Sequence, residues 1–396
     1  MGQLNKRALL TRLQRLGTAS RADLAKSLGL SQPTTGKIVD QLLDRGIFVE
    51  VGTQQEMDSG NRGSGPARSR LGRPGRLLRL DRTRPKFLGI QLDVHETKLA
   101  LLNIGADLDD KWLVAIPTPE SAAEWVRGLR KAAGKLRLRQ FLGTLVSVPG
   151  IVDERSRKVL FSPNLHWTEN ADLPALVQSV WDAPVALVQE LHALALGYQT
   201  FNTSGEDFLA VDIGEGVGAA VVLGGKLYGN QLPISGELGH NPVAGNQRRC
   251  GCGAVGCLET LFSMRGLIQS LAEHHPGHST RWNDFAAYTA DHGVVPWLGE
   301  TLDAAGVVIA GALNVLGIRR VVISGAMSDL PPTLHRYLSD AIARGALWQR
   351  FGHVTCEFTP RYRTAGLISV GIDRFVVPTE MEETFPKGIR PAIMHA

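Results

Sequence analysis

The chain has 396 residues, 43% of them hydrophobic and 20% charged, with 44 glycines and four cysteines. At roughly 100–200 residues per domain this is a turn-rich α/β protein of two to four domains, and the mix excludes a disordered, fibrous or disulfide-stapled chain. The formal net charge of +5 is unevenly spread: residues 1–80 carry 14 Lys and Arg against 6 Asp and Glu, while the rest carry 29 against 32.

A basic first fifth on a near-neutral body implies an anion-binding module joined to a regulated or catalytic part, although a solvated basic face gives the same counts. The N-terminus alternates charge with leucine and has no apolar signal core, which argues against secretion. The most apolar run, 304–318, is too short to span a bilayer and contains Asn314. Cys250, Cys252 and Cys257 sit too close together for a disulfide framework, so cytoplasmic thiols fit better.

Leu9, Leu10, Leu13 and Leu16 recur at helical spacing up to Gly17. Ser20 with Asp23 forms a capping box for a second helix, whose apolar face is Leu24 and Leu28 and whose stop is Gly29. Ser31 opens a third helix with Pro33 in its first turn, Ile38, Val39, Leu42 and Leu43 inward, and Gly46 at its end. The short break between helices two and three predicts a helix-turn-helix. Its DNA-reading surface would be Ser31, Gln32, Thr34 and Thr35, with Lys37 on phosphate. A three-helix interaction module is the alternative. Residues 47–52 alternate like a strand, 53–70 have no apolar periodicity and fit an enlarged, mobile wing tip, and 70–80 return as a second strand. Arg70, Arg73 and Arg76 on that arm suit a narrow minor groove, or form a merely soluble basic loop.

In the body, buried-strand runs lie at 86–93, 98–104, 145–153, 185–190, 208–229 and 319–325, with helical segments around 120–137, 173–181 and 301–317. A strand–Asp–turn–strand unit occurs twice, at Asp93 and Asp212, predicting two similar α/β lobes with a cleft between them.

The run GNQLPISGELGHNPV (229–243) with CGCGAVGCLE (250–259) resembles the ROK family of repressors, open reading frames and sugar kinases, over nearly the whole chain. The basic N-terminus resembles its repressor branch, which includes xylose- and N-acetylglucosamine/glucose-responsive members. The resemblance implies an α/β fold class: a winged helix-turn-helix (1–80), then a two-lobed actin-like domain of the sugar kinase/RNase H-like type. Lobe 1 would be 83–189, completed by about 366–396, and lobe 2 with the metal site 190–365. His240, Cys250, Cys252 and Cys257 suit tetrahedral structural Zn2+, with glycines 251, 253 and 256 letting the sulfurs converge. Cys356 reads as a core thiol. Asn164, Glu237, His240 and Glu259 are implied as partners of sugar hydroxyls, beside Gln189 and Glu190.

The kinase machinery departs from the family pattern. The usual Asn-Asp pair reads Gln189-Glu190, whose carboxylate at the base position is displaced by about 1 Å, worth on the order of 100-fold in rate. The phosphate loop Asp-x-Gly-Gly-Thr reads Asp93-Val94-His95-Glu96-Thr97, and Gly-Thr-Gly-x-Gly reads Gly214-Glu215-Gly216-Val217-Gly218. Lost glycines hinder backbone approach to phosphate, and each loop gains an acid. A third glycine pair reads Gly325-Ala326. The expectation is a cytoplasmic homodimer or tetramer, with operator DNA and a monosaccharide or phosphosugar as partners, no ATP and no membrane. The rival is an active sugar kinase with an accessory DNA-binding head. A third reading, a DNA-binding protein without sugar sensing, conflicts with the retained Asn164, Glu237, His240 and Glu259.

Overall fold

The computed structural model describes residues 2–53, 76–104, 111–136, 141–202, 205–228, 234–277 and 281–377. The chain opens with α1 (Gly2–Leu16), β1 (Ala19–Ser20), α2 (Arg21–Leu28), α3 (Gln32–Asp44), β2 (Phe48–Thr53) and β3 (Arg76–Leu80). Ser20 Oγ accepts from the Asp23 amide at 3.1 Å while the Asp23 carboxylate accepts from the Ser20 amide at 3.3 Å, so the reciprocal cap forms. Gly29, at φ +63, permits the sharp break, and Ser31 caps α3 by accepting from the Thr34 amide. The strands pair antiparallel in the order β1-β3-β2. Leu16 departs from the expected apolar face and is 42% exposed, because the chain turns away at Gly17 (φ +72) before the last turn can pack.

This small α/β module has no closed core of its own. Leu9, Leu13, Val39, Leu42 and Phe48 pack into one continuous cluster with Phe87, Leu102, Leu367, Ile372 and Val376. Polar contacts pin the joint: the Asp81 amide donates to Ile47 O at 2.9 Å, and buried Lys86 Nζ lies 3.0 Å from Asp81 Oδ2.

The first lobe contains β4 (Phe87–Leu92), β5 (Glu96–Leu102), β6 (Val114–Pro117), α4 (Ala122–Ala133), β7 (Gly143–Val148), β8 (Ile151–Asp153), β9 (Lys158–Phe161), α5 (Leu173–Gln178) and β10 (Val185–Gln189). Then come α6 (Glu190–Phe201), β11 (Phe208–Ile213), β12 (Val217–Leu223), β13 (Lys226–Leu227), α7 (Glu259–Phe262), α8 (Met264–His274), α9 (Trp282–His292), α10 (Pro296–Leu316), β14 (Arg320–Gly325), α11 (Pro332–Gly345), β15 (Thr355–Phe358) and α12 (Arg363–Gly371), which runs into one π-helical segment, Ile372–Val376. The two large sheets are ordered β10-β7-β4-β5-β6 and β13-β12-β11-β14-β15. In each, the first three strands form an antiparallel meander and the last two add in parallel beside the first. The same topology therefore occurs twice, as the repeated strand–Asp unit implies.

α6 and α12 cross between the sheets. Ala193 of α6 joins the core of the first lobe, while Ala195 and Tyr198 join Phe208 and Val222 of the second. Their backbones touch: a Cβ on Gly366 would lie 1.7 Å from Ala193 O, and one on Gly197 2.0 Å from Tyr362 O. The expected helices at 120–137, 173–181 and 301–317 correspond to α4, α5 and α10. α10 begins at Pro296 and, at 21 residues, is long and apolar enough by length and composition to cross a membrane, which corrects the expectation from 304–318 alone. Its Leu298, Leu302, Ile309 and Leu313 are fully buried in the core of the second lobe, the position of a core helix.

Candidate functional site

A cavity of about 250 Å3 opens between the lobes. Six side chains expected to bind ligand line it: Asn164, Gln189, Glu190, Glu237, His240 and Glu259. Asn164 follows β9, Gln189 ends β10, and Glu190 starts α6. Glu237 and His240 bracket a single 3-10 turn that presses on β12. A Cβ on Gly236 (φ +83) would lie 1.8 Å from Ala219 O, and one on Gly239 2.1 Å from Val217 O. Only glycine allows that approach, which aims both side chains at the cavity. Glu259, the first residue of α7, accepts from the Val217 amide at 3.0 Å. Glu237 Oε2 lies 3.5 Å from His240 Nε2. Burial pushes the Glu237 carboxyl up; His240 opposes this and the Glu259 charge adds to it.

His240 turns its other nitrogen toward three thiols. The candidate ligand atoms of His240, Cys250, Cys252 and Cys257 lie within 4.8 Å of one another. Cys250 Sγ is 3.6 Å from His240 Nδ1, and Cys252 Sγ is 3.7 Å from Cys257 Sγ. Tetrahedral zinc with Zn–S of about 2.3 Å and Zn–N of about 2.05 Å requires S···S near ~3.8 Å and S···N near ~3.6 Å, so the donor set fits a metal of that kind. Burial raises the Cys250 thiol to about 12 and raises Cys257 as well, so a bound cation must displace protons. Cys356 stands apart in β15, half-buried.

The opposite half of the cavity holds Asp93, Asp212, Gly214, Glu215, Arg361 and Arg363. Arg361 grips Asp212 bidentately, Nε to Oδ1 at 2.8 Å and Nη2 to Oδ2 at 2.7 Å, and Nη2 also donates to Ile213 O. Burial pushes the Asp212 carboxyl up, but Arg361 outweighs it and holds it below the usual range. The Arg361 guanidinium is wedged between two glycines: a Cβ on Gly214 or Gly325 would lie 2.7 Å from its Nη2. Arg363 donates to Glu190 Oε1 from Nε at 2.9 Å and from Nη2. The carboxylate at the expected base position is thus held in an ion pair. Sequence reasoning missed Arg361, Arg363 and the ligand-side role of Asp212. Their only signal is Arg-Tyr-Arg-Thr (361–364) ahead of an apolar helix.

A polar network leads from this cleft to the N-terminal module. The Glu154 carboxylate accepts from the Gln189 amide at 3.1 Å, meets His192 Nδ1 at 2.9 Å and lies 3.4 Å from Arg374 Nη2 in the π-helical segment. Burial opposes its ionisation, but His192, the Gln189 amide and Arg374 together hold it down. Next to Arg374, Asp373 pairs with Arg7 of α1 at 2.7 Å, and Arg45 at the end of α3 donates to Phe375 O and Val376 O.

On α3 the residues expected to read DNA separate. Ser31, Gln32, Thr34 and Lys37 are exposed, with the Ser31 hydroxyl 2.8 Å from that of Thr34. Thr35 is fully buried, which corrects its expected place at base edges: it lies on the same side of α3 as Ile38, Val39 and Leu42, in the core. Arg76 is exposed but donates to Glu50 at 2.5 Å. Arg70, Arg73 and the expected wing tip beyond Thr53 lie outside the described residues, as do 378–396.

Residues 88–364 match the ROK family. A putative xylose repressor from Caldicellulosiruptor sp. is 31% identical over 275 residues, 67% of this chain and 65% of the relative, so the match spans slightly less than two thirds of that protein. The DNA-binding transcriptional dual regulator NagC of Escherichia coli K12 is 26% identical over 371 residues, 87% of this chain and 86% of the relative. Among solved structures, a ROK family transcriptional regulator described as a homolog of E. coli MLC protein superposes with a TM-score of 0.74 at 20% identity, over 95% of this chain and 98% of that one, which shows a shared fold.

Proposed function

The chain belongs to the ROK family, and from that premise we propose that it is a sugar-responsive, DNA-binding transcriptional regulator: a repressor that leaves its operator when a sugar occupies the cleft. The observation that carries this is one chain that joins a helix pair with an exposed Gln32, Thr34 and Lys37 to a cleft lined by Asn164, Glu237, His240 and Glu259, with no break in the core between them. The first 80 residues act as a winged helix-turn-helix, α3 entering the major groove and β2 and β3 forming the base of the wing. Residues 83–189 with the C-terminal helix act as one lobe, and 190–365 as the other. Relatives named as xylose repressor and NagC support the regulatory reading.

Carboxylates and amides at Asn164, Gln189, Glu190, Glu237, His240 and Glu259 bind hydroxyls. Zn2+ on His240, Cys250, Cys252 and Cys257 fixes the loop that aims His240 Nε2 and the start of α7 at the ligand. Phosphoryl transfer is absent in this reading, because Arg363 engages Glu190 and Arg361 fills the space between Gly214 and Gly325. A homodimer would place two α3 helices on a two-fold operator, in the cytoplasm where the DNA is. Sugar must bind the released state more tightly than the DNA-bound state, since equal affinity for both shifts nothing.

The test is fluorescence anisotropy on the DNA upstream of the gene, at fixed salt, with monosaccharides titrated into the complex. Release by one sugar is expected. Absence of specific DNA binding, with sugar-dependent ADP release from ATP, would replace this reading with a sugar kinase carrying an accessory head.

A further inference from the structure

The chemistry of the cleft defines the class of effector. Six carboxylates line it (Asp93, Glu190, Asp212, Glu215, Glu237 and Glu259) against two arginines. Neither arginine is available to a new anion: Arg361 is bidentate on Asp212 and also bonds Ile213 O, and Arg363 is on Glu190. The backbone amides that a phosphate would need are also engaged, Gly214 N with Gly216 O at 2.8 Å and Val217 N with Glu259 at 3.0 Å. Asp93 and Glu215 add negative charge at the same end.

A second observation concerns donors and acceptors. Gln189 is 2% exposed, lines the cleft, and its Oε1 has no hydrogen-bond partner. A buried carbonyl without a donor costs free energy until a ligand supplies one. A hydroxyl supplies a donor; a phosphate dianion supplies only acceptors. Ionised carboxylates around the rest of the cavity make the same demand.

We infer that the effector is an unphosphorylated, hydroxyl-rich sugar, and that the cleft rejects its phosphorylated form. This rests on the reading that the cleft is the sugar site. Placing a phosphate among like charges costs several kcal/mol, so discrimination on the order of 100-fold is expected.

The test is isothermal titration of the full chain with xylose, glucose and N-acetylglucosamine, with glucose 6-phosphate and N-acetylglucosamine 6-phosphate, and with inorganic phosphate. One free sugar binds and its phosphate binds on the order of 100-fold more weakly. Glu215→Gln narrows that gap, and Gln189→Leu weakens the free sugar at least about tenfold while the melting temperature holds. A 6-phosphate that binds more tightly than its parent sugar overturns the inference and leaves the cleft reading intact. If Arg249→Ala or Arg265→Ala then abolishes that advantage, the phosphate sits in the neighbouring depression that these arginines share with Asn164. No binding by any sugar in either form overturns the cleft reading itself.

Discussion

Single residues at the joint between the N-terminal module and the first lobe carry unusual weight. Burial alone raises the Asp81 carboxyl, but the Thr83 hydroxyl and amide and the Lys86 ammonium outweigh it and hold it at about 2. A carboxyl depressed in the folded state stabilises above its unfolded pKa of roughly 4, and that stability is lost as pH falls toward ~2. Asp81→Asn leaves a buried Lys86 without its counter-charge, a loss of about 3–5 kcal/mol. Thermal melts are expected to show the variant destabilised at pH 7, with the gap to wild type closing between roughly pH 4 and pH 2. A constant gap across that window would remove the pair from the acid response. At the metal centre, Cys252→Ser is expected to lower bound zinc from about one per chain to near none, and to loosen the His240 segment. Full metal content in the variant would sink the four-ligand assignment. The cysteine cluster was legible because its spacing is its chemistry. Arg361 was not, because its partner Asp212 lies 149 positions away in sequence, and no local pattern records an ion pair made by folding.

Helices were legible where their ends carry a mechanism. The Ser20–Asp23 cap, the stop at Gly29 and the Ser31 cap all form as read. α6 and α12 were invisible because both are buried on several sides and carry no clean amphipathic stripe; only their contact at Gly197 and Gly366 explains those residues. Thr35 went wrong for a related reason: in a short polar run the helical phase is set by Ile38, Val39 and Leu42, and i+3 and i+4 from Thr35 are two of these. α3 therefore divides into testable faces. Gln32→Ala is expected to cost about 1–3 kcal/mol on the preferred operator and to relax one base position. Lys37→Ala should weaken all sequences alike and lower the salt slope by about 1. Thr35→Val, whose hydroxyl is buried without a partner, should leave DNA specificity unchanged. A change of base preference in Thr35→Val, seen by competition with single-base operator variants, would return that residue to the reading surface.

At the scale of the molecule, a regulator needs its cleft and its DNA-reading helix to be energetically linked. The twofold use of one sheet topology was readable from the repeated Asp unit. The docking of the N-terminal module was not, because it depends on residues 372–376 meeting residues 7 and 45. That docking supplies a physical connection. Glu154 holds the cleft wall through the Gln189 amide and His192, and holds the π-helical segment through Arg374. The segment in turn holds α1 through Asp373 and the end of α3 through two carbonyls. A π-helical insertion is a local departure from helical geometry that often marks function, and here it lies between the two sites. If sugar moves Gln189 and His192, Glu154 transmits the displacement to the seat of α3. Glu154→Gln keeps the shape and removes the charge. It is expected to leave sugar affinity and sugar-free DNA affinity each within about threefold, while the factor by which sugar weakens DNA binding drops from on the order of 100-fold to below about tenfold. Arg45→Ala, which cuts the far end of the same chain of contacts, should reduce that factor similarly. The double variant should lose little more than the stronger single one, because residues in one connected network are not additive. Undiminished sugar release in both single variants, measured by anisotropy at one salt concentration, would show that the cleft speaks to the DNA through the apolar core around Ile372 and Val376 instead.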